Sequence, residues 1–246
     1  MRTTRIFVDL ELTLGQTLIL PAAPSAHILR VLRLRPGTTL TLFNGRGGEF
    51  AAELQGSSKT GAEVKVSAHE NVERESPLHL TLLQGVARGE RMDFIVQKAT
   101  ELGVQRIVPL SCEFSVVRLE AAALRRRVEH WRAIAIAACE QSGRNRLPLI
   151  EPIGELAEAG ADHAATAGLR SMLVPQAPDS LAGLARGLQS AVLLIGPEGG
   201  LSGREQLLAQ RSGFRACRLG PRILRTETAP LAALAVLQTL AGDLGD

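Results

Sequence analysis

The chain has 246 residues, room for one large domain or two smaller ones, and a chain of that length can hide on the order of 70% of its extended surface. Its 45% hydrophobic and 22% charged content is that of a globular protein and excludes disordered, collagen-like and disulfide-stapled classes. Net charge is only +3, yet lysine occurs just at Lys59, Lys65 and Lys98 and the other basic residues are arginine; a GC-rich genome would give that bias too, so composition permits an RNA partner without demonstrating one.

The first 72 residues read as a small β-rich unit. Segments 6–8, 39–43, 49–54 and 63–67 have β-branched or alternating character. Asn44-Gly45 between two of them is a hairpin signal, since both residues tolerate positive φ. A short helix is expected over 25–32 with Ser25 as its N-cap. Residues 70–77 are polar, end in proline, and read as a linker.

Beyond the linker, strands and helices alternate. Residues 78–85 and 104–110 are strand-like, with a helix over 90–102 between them and Gly103 as its stop. A long helix is expected over 121–142, with Leu124, Val128, Trp131, Ala135 and Ala138 on one stripe. Further strands are expected at 171–174, 191–195 and 216–219. Alternation of this kind predicts an α/β fold, with a mainly parallel sheet covered by helices on both faces.

In such sheets ligands bind beyond the carboxyl ends of strands, and two of these ends are unusual. Residues 191–195 run into Gly196-Pro197-Glu198-Gly199-Gly200, followed by a helix opened by Ser202 with Glu205 three residues on, a capping box. Glycines let backbone approach a ligand, and a helix start offers free N–H groups. The loop is neither a P-loop nor GxGxxG. The second end, 219–230, packs Arg222, Arg225, Thr226, Glu227 and Thr228 into a short stretch before Pro230, more polarity than a turn requires. A third cluster, Cys139-Glu140-Gln141-Ser142-Gly143-Arg144-Asn145-Arg146, closes the long helix, where cations also suit the helix dipole. Metal and hydrolase signatures are absent, and the histidines are scattered singly, so no metal is expected. No apolar run approaches the ~20 residues that cross a bilayer, and no long apolar stretch follows the N-terminus. Three widely spaced cysteines without a CxxC pair suit reduced thiols in a cytoplasm.

Four of these segments, LIGPEGGLS (194–202), LGPRILRTETA (219–229), QKATELGV (97–104) and AACEQSGRNR (137–146), together resemble the RsmE family of 16S ribosomal RNA uridine N3-methyltransferases in the SPOUT (α/β-knot) superfamily. The resemblance covers nearly the whole chain. It implies a PUA-like β-barrel RNA-binding domain over 1–72 and a trefoil-knotted methyltransferase domain over 73–246. It also implies S-adenosylmethionine held by Leu194, Gly196, Glu198 and Gly199 in one loop and by Leu219, Gly220, Ile223, Leu224, Arg225 and Thr226 in the other. The family is homodimeric through the knot, which suits a final helix with Leu231, Leu234, Val236, Leu237 and Leu240 almost all round it. The implied partner is the 16S rRNA of the 30S subunit, with contacts expected at Arg5, Arg30, Arg33, Arg88, Arg91, Arg144 and Arg146. Arg30 and Arg33 share a helix face.

N3 of neutral uracil carries a proton, so its methylation needs a base or cations that stabilise the anion on O2 and O4. Arg225 is the first candidate for that stabilisation and Arg144 the second; arginine stays protonated and is no base. Glu198 or Glu227 could take the proton, as could water. Two alternatives remain at this point: a 2′-O-ribose methyltransferase, and a non-catalytic RNA-binding protein.

Overall fold

The computed structural model describes residues 4–115, 121–162 and 168–245. The chain divides into two compact units: Met1–Glu75 together with Cys139–Leu147, and Ser76–Ala138 together with Pro148–Asp246.

The first unit contains β1 (Thr4–Phe7), β2 (Thr17–Ile19), α1 (Ala22–Ala26) running into a π-helical turn (His27–Val31), β3 (Thr39–Phe43), β4 (Glu49–Ser57) and β5 (Ala62–Glu70). They form one PUA-like sheet in the order β1-β3-β4-β5-β2. β1 and β3 pair in parallel and the other pairs are antiparallel. Alternation does the folding work, because Ala62, Val64 and Val66 of β5 turn inward while their neighbours face water. The core is Ile6, Val8, Leu20, Ile28, Leu40, Leu42, Leu54 and Val64.

One local expectation is corrected here and another is met. Ser25 is not an N-cap: the helix opens one turn earlier, after Pro21. The buried Ser25 hydroxyl instead donates to the Leu20 carbonyl (2.8 Å) and accepts from the Ala62 N–H (2.9 Å), tying helix to sheet. The hairpin that Asn44-Gly45 signals is present between β3 and β4, over a loop of residues 44–48. Positive φ falls on Gly45, Gly47 and Gly48, and among described non-glycine residues only on Arg33. Asn44 stays at negative φ and its side-chain oxygen accepts from the Arg46 N–H (3.2 Å), opening a longer loop.

The second unit runs β6 (His79–Gly85), α2 (Glu90–Glu101), β7 (Arg106–Ser111), α3 (Ala121–Ser142, its end lying in the first unit), β8 (Leu149–Ile150), β9 (Gly154–Glu155), α4 (Leu156–Asp162), β10 (Leu169–Leu173), β11 (Asp179–Ser180), α5 (Leu181–Leu184), β12 (Ser190–Ile195), α6 (Gly203–Arg211), β13 (Arg215–Arg218) and α7 (Thr228–Ala241). The sheet order is β11-β13-β10-β12-β6-β7-β8, with β9 also on β7, and these pairings are parallel. Helices cover both faces. Leu193 and Ile195 of β12 point into one core with α2, α3, α5 and α7, while Val192 and Leu194 point into another with α4 and α6. A strand buried on both sides must read as continuous apolar sequence, which is why AVLLI shows no alternation. Trp131 of α3 is buried because its indole N–H finds the Asp93 carboxylate of α2 (3.0 Å).

This is the mainly parallel SPOUT sheet that the resemblance implies. The chain leaves β13, and Thr226 comes back to the end of β12, where its hydroxyl donates to the Gly196 carbonyl (3.0 Å). α7 then buries Pro230, Ala233, Leu234, Leu237 and Gln238. Leu240 and Leu244 remain 38% and 53% exposed, so one side of this apolar end is uncovered in a single chain.

Candidate active site

A cavity of about 680 Å³ opens beyond the carboxyl ends of β10, β12 and β13, within the range of small-molecule sites. Its walls are three loops, 174–176, 196–201 and 219–227, with Arg91 of α2 and Gln206 of α6 at the edge. Ile195, Leu201, Leu219 and Leu224 give it apolar surface.

The glycine loop is shaped by its own backbone. A Cβ on Gly196 would lie 2.6 Å from the Gly200 carbonyl carbon and 2.7 Å from the Leu201 nitrogen, so no larger residue lets the loop fold back there. Gly200, at φ +71°, donates its N–H to the Pro197 carbonyl (2.8 Å). The capping box of Ser202 and Glu205 is present and fixes where α6 begins. Underneath sits Gln84, fully buried at the end of β6. Its amide donates to the Gly85 carbonyl (2.9 Å) and reaches the Gly196 carbonyl at 3.4 Å. The Gly196 carbonyl thus joins β6, β12 and the loop after β13.

Charges at the rim are paired. Glu198 accepts from the Arg88 N–H (3.0 Å) and from the Arg91 guanidinium (2.8 Å), and Arg91 lies 3.7 Å from Glu227. Burial alone would raise the Glu198 carboxyl; the N–H groups of Arg88 and of Glu198 itself, with Arg91, outweigh it and hold it below its ordinary value. A carboxylate so stabilised is a weak proton acceptor. Arg225 differs: it is exposed at the cavity wall, and its guanidinium has no hydrogen bond or ion pair with a described residue. Its carbonyl accepts the N–H groups of Thr228 and Ala229 (both 2.9 Å), which fixes the backbone where α7 starts.

The structure gathers Gly196, Glu198, Gly199, Leu219, Gly220, Ile223, Leu224, Arg225 and Thr226 around this one cavity. The Leu194 side chain does not line the cavity. Strand alternation turns it into the core beneath α4 and α6, and Ile195 lines the cavity in its place. Gly199 also has a different reason to be glycine: a Cβ there would meet the Phe114 Cβ at 2.8 Å.

The basic residues fall into three groups. Arg30 and Arg33 are exposed around the π-helical turn, as is Arg88 at the start of α2. Arg91 and Arg146 are exposed but paired, Arg91 as above and Arg146 with Glu73 (2.7 Å). Arg5 and Arg144 are paired within the first unit. Arg144 is 3% exposed, and its guanidinium makes a two-pronged bond to Glu75. Arg5 bonds Glu49 and the Asn145 side chain (2.6 Å) and lies over the Phe43 ring. Both belong to the interior of the first unit, with Glu140 accepting from the Phe7 N–H (2.9 Å) beside them. They brace the 139–147 segment. Among the described residues no three His, Cys, Asp or Glu side chains could hold a metal ion.

Sequence reasoning missed the 174–176 wall, which no motif marks, and Gln84, which could have been found as one polar residue inside an apolar strand.

Residues 74–238 match the family model described as an RNA methyltransferase domain, and residues 25–67 match one described as an RNA methyltransferase PUA domain. The chain is 32% identical over 243 residues to the ribosomal RNA small subunit methyltransferase E of Buchnera aphidicola, covering 99% of this chain and 98% of that one. It is 34% identical to the Bacillus subtilis protein of the same name, over 88% and 89% of the two chains. A solved ribosomal RNA small subunit methyltransferase E from Neisseria gonorrhoeae, bound to S-adenosyl methionine, superposes with a TM-score of 0.90 at 39% identity, over 99% of this chain and all of that one.

Proposed function

Since this chain belongs to the ribosomal RNA small subunit methyltransferase E family, we propose that it methylates N3 of a specific uridine, of the 1498 type, in the 16S rRNA of the small ribosomal subunit, using S-adenosylmethionine in the cytoplasm. The observation that carries this is the cavity built from the 196–201 and 219–227 loops, clasped through Thr226 and Gln84 onto the Gly196 carbonyl.

The cavity suits this cofactor in volume and in donor set. Apolar side chains offer a slot for an adenine, and loop backbone supplies polar groups at its edge. Gly196, Glu198, Gly199, Leu219, Gly220, Ile223, Leu224, Arg225 and Thr226 would hold it. When bound, it supplies a sulfonium methyl that is already activated, so the protein contributes placement and charge control. Arg225 is a cation at the wall without a partner among the described residues, and it stabilises negative charge on the uracil oxygens as N3 loses its proton. Glu198 is held by Arg91 and the Arg88 N–H as a positioned carboxylate. The proton leaves to Glu227 or to water.

RNA affinity comes from the PUA-like unit through Arg30 and Arg33, with Arg88 near the cavity. A homodimer formed through α7 would cover Leu240 and Leu244. Calorimetry with S-adenosylmethionine, and mass spectrometry of 16S rRNA nucleosides from a deletion strain with and without the gene restored, test the reading. N3-methyluridine restored by the gene is the expected result. A restored 2′-O-methylnucleoside assigns ribose chemistry instead, and absence of cofactor binding removes the enzyme reading.

A further inference from the structure

Aromatic side chains are scarce in this protein: six phenylalanines, one tryptophan and no tyrosine. Phe43, Phe214 and Trp131 are buried, and Phe7 and Phe50 pack against the rings of Phe43 and His69. Phe94, on α2, and Phe114 are left 43% and 50% exposed. Of these two, Phe114 is the one that stands against the glycine loop, in the turn after β7.

That turn is pinned from three directions. The Ser115 N–H donates to the Cys112 carbonyl (2.9 Å), and the Cys112 N–H donates to the Ser115 hydroxyl (3.1 Å). The Glu113 N–H donates to the Glu205 carboxylate (2.9 Å). Glu205 is the capping-box residue whose other oxygen accepts from the Ser202 N–H (2.8 Å). One carboxylate therefore fixes both the Phe114 turn and the end of the glycine loop. The Phe114 side chain lies so close to Gly199 that a Cβ on that glycine would sit 2.8 Å from the Phe114 Cβ and 3.3 Å from Cγ. The ring is a half-bare apolar face standing against Gly199 of the cavity wall.

We propose that Phe114 is a stacking platform for an unstacked nucleobase of the substrate RNA at the target site. The inference rests on the RNA-methyltransferase reading and deepens it. A ring nitrogen cannot be methylated while its edge is paired, so the target nucleotide must leave its stack, and an aromatic face replaces the stacking it loses. Phe114 stands against Gly199 of the cavity wall and is not itself a lining residue, which places the platform beside the cofactor slot and not inside it. The exposed Arg225 at the same cavity supplies a cation for an anionic strand. An apolar face with a cation at the neighbouring wall fits a single-stranded nucleotide better than an apolar peptide.

The experiment uses the full-length protein and small ribosomal subunits from a strain lacking this methylation. Phe114→Leu keeps the bulk and apolarity but removes the π-face; Phe114→Trp keeps the π-face. Stacking of one base predicts that Phe114→Leu raises KM for the subunits about tenfold or more, with kcat little changed and S-adenosylmethionine affinity by calorimetry unchanged. Phe114→Trp should retain the wild-type KM. Its emission, taken as the difference from wild type, should be quenched when subunits bind. A Phe114→Leu protein with wild-type KM overturns the proposal. So does loss of cofactor affinity in that variant, which would make the ring a brace for Gly199, and so does a change in oligomeric state by sedimentation, which would make it a contact between copies. If the wild type itself neither binds S-adenosylmethionine nor methylates the subunits, it is the functional reading that falls.

Discussion

Arg91 donates a hydrogen bond of 2.8 Å to Glu198 and lies 3.7 Å from Glu227, so one guanidinium on α2 joins the two loops that wall the cavity. Sequence alone cast Arg91 as an RNA contact, and its partners also tie it to both loops. Arg91→Ala should weaken S-adenosylmethionine binding several-fold in calorimetry. The melting temperature should barely move, because a half-exposed ion pair is screened by water and salt. Arg91→Lys should recover most of the affinity through Glu198 alone. A variant that binds cofactor normally but loses RNA affinity would return Arg91 to its first role.

Arg225 provides the sharpest test of the chemistry. If its charge stabilises the uridylate, Arg225→Ala should lower single-turnover methylation by roughly 10²–10³, the cost of losing one oxyanion donor. Raising the pH should partly rescue it, because hydroxide then helps to form the anion. A rise in KM with unchanged kcat would indicate a phosphate contact instead. Rate profiles over alkaline pH for both proteins decide between these.

Arg30 and Arg33 are exposed around the π-helical turn, whereas Arg5 is internally paired. Converting Arg30 and Arg33 to glutamate should weaken binding to small subunits and flatten its salt dependence, by about one unit of slope for each phosphate no longer neutralised. Folding and cofactor affinity should be unaffected. Arg5→Ala should do the reverse, lowering the melting temperature by leaving Glu49 and Asn145 without their partner. Binding titrations at several salt concentrations, alongside thermal melts, separate the two classes.

Two carboxylates of the first unit should respond to pH with opposite signs. Burial would raise Glu49, but Arg74 and Arg5 outweigh it and hold it below its ordinary 4.5. Its contribution to stability is therefore present above pH 4.5 and lost as pH falls through the folded-state value. Burial raises Glu140, and the Phe7 N–H offsets this only in part. Ionised Glu140 thus opposes folding as pH rises past 4.5. At pH 7, Glu49→Gln should lower the melting temperature by a few degrees, while Glu140→Gln should preserve or raise it. Both differences should shrink toward pH 4, and melts at the two pH values check the signs.

Much of the fold was legible because local signals agreed with the tertiary outcome. Apolar AVLLI, the Ser202–Glu205 box and the Gly103 stop each have one physical meaning, and each element lies where its signal places it. Ser25 went astray because a side chain that can cap can equally bind a distant strand. The cavity was legible through Gly196, Glu198 and Arg225, since two polar strand ends had nowhere else to be explained. Arg144 was not. A cation at a helix end looks the same in sequence whether it meets solvent or is buried against Glu75, a carboxylate 69 residues away. Leu194 and Ile195 could be told apart only by the strand's facing, which a run apolar on both sides does not reveal.

The 139–147 segment has a consequence for synthesis. Glu75, Glu49 and Arg5 leave the ribosome early, but the residues they bond, Arg144 and Asn145 and the Gly143 carbonyl that Arg74 reaches beside Glu49, are made much later. At about 5–20 residues per second, that delay is on the order of ten seconds. Through it Glu75 waits for Arg144, while Arg5, Glu49 and Arg74 already have one another. The first unit is therefore finished only after most of α3 has been translated, and the strands that carry the glycine loop and the Thr226 clasp emerge later still. The first unit is thus closed by a segment from the middle of the chain, and the cavity loops 196–201 and 219–227 follow it in synthesis.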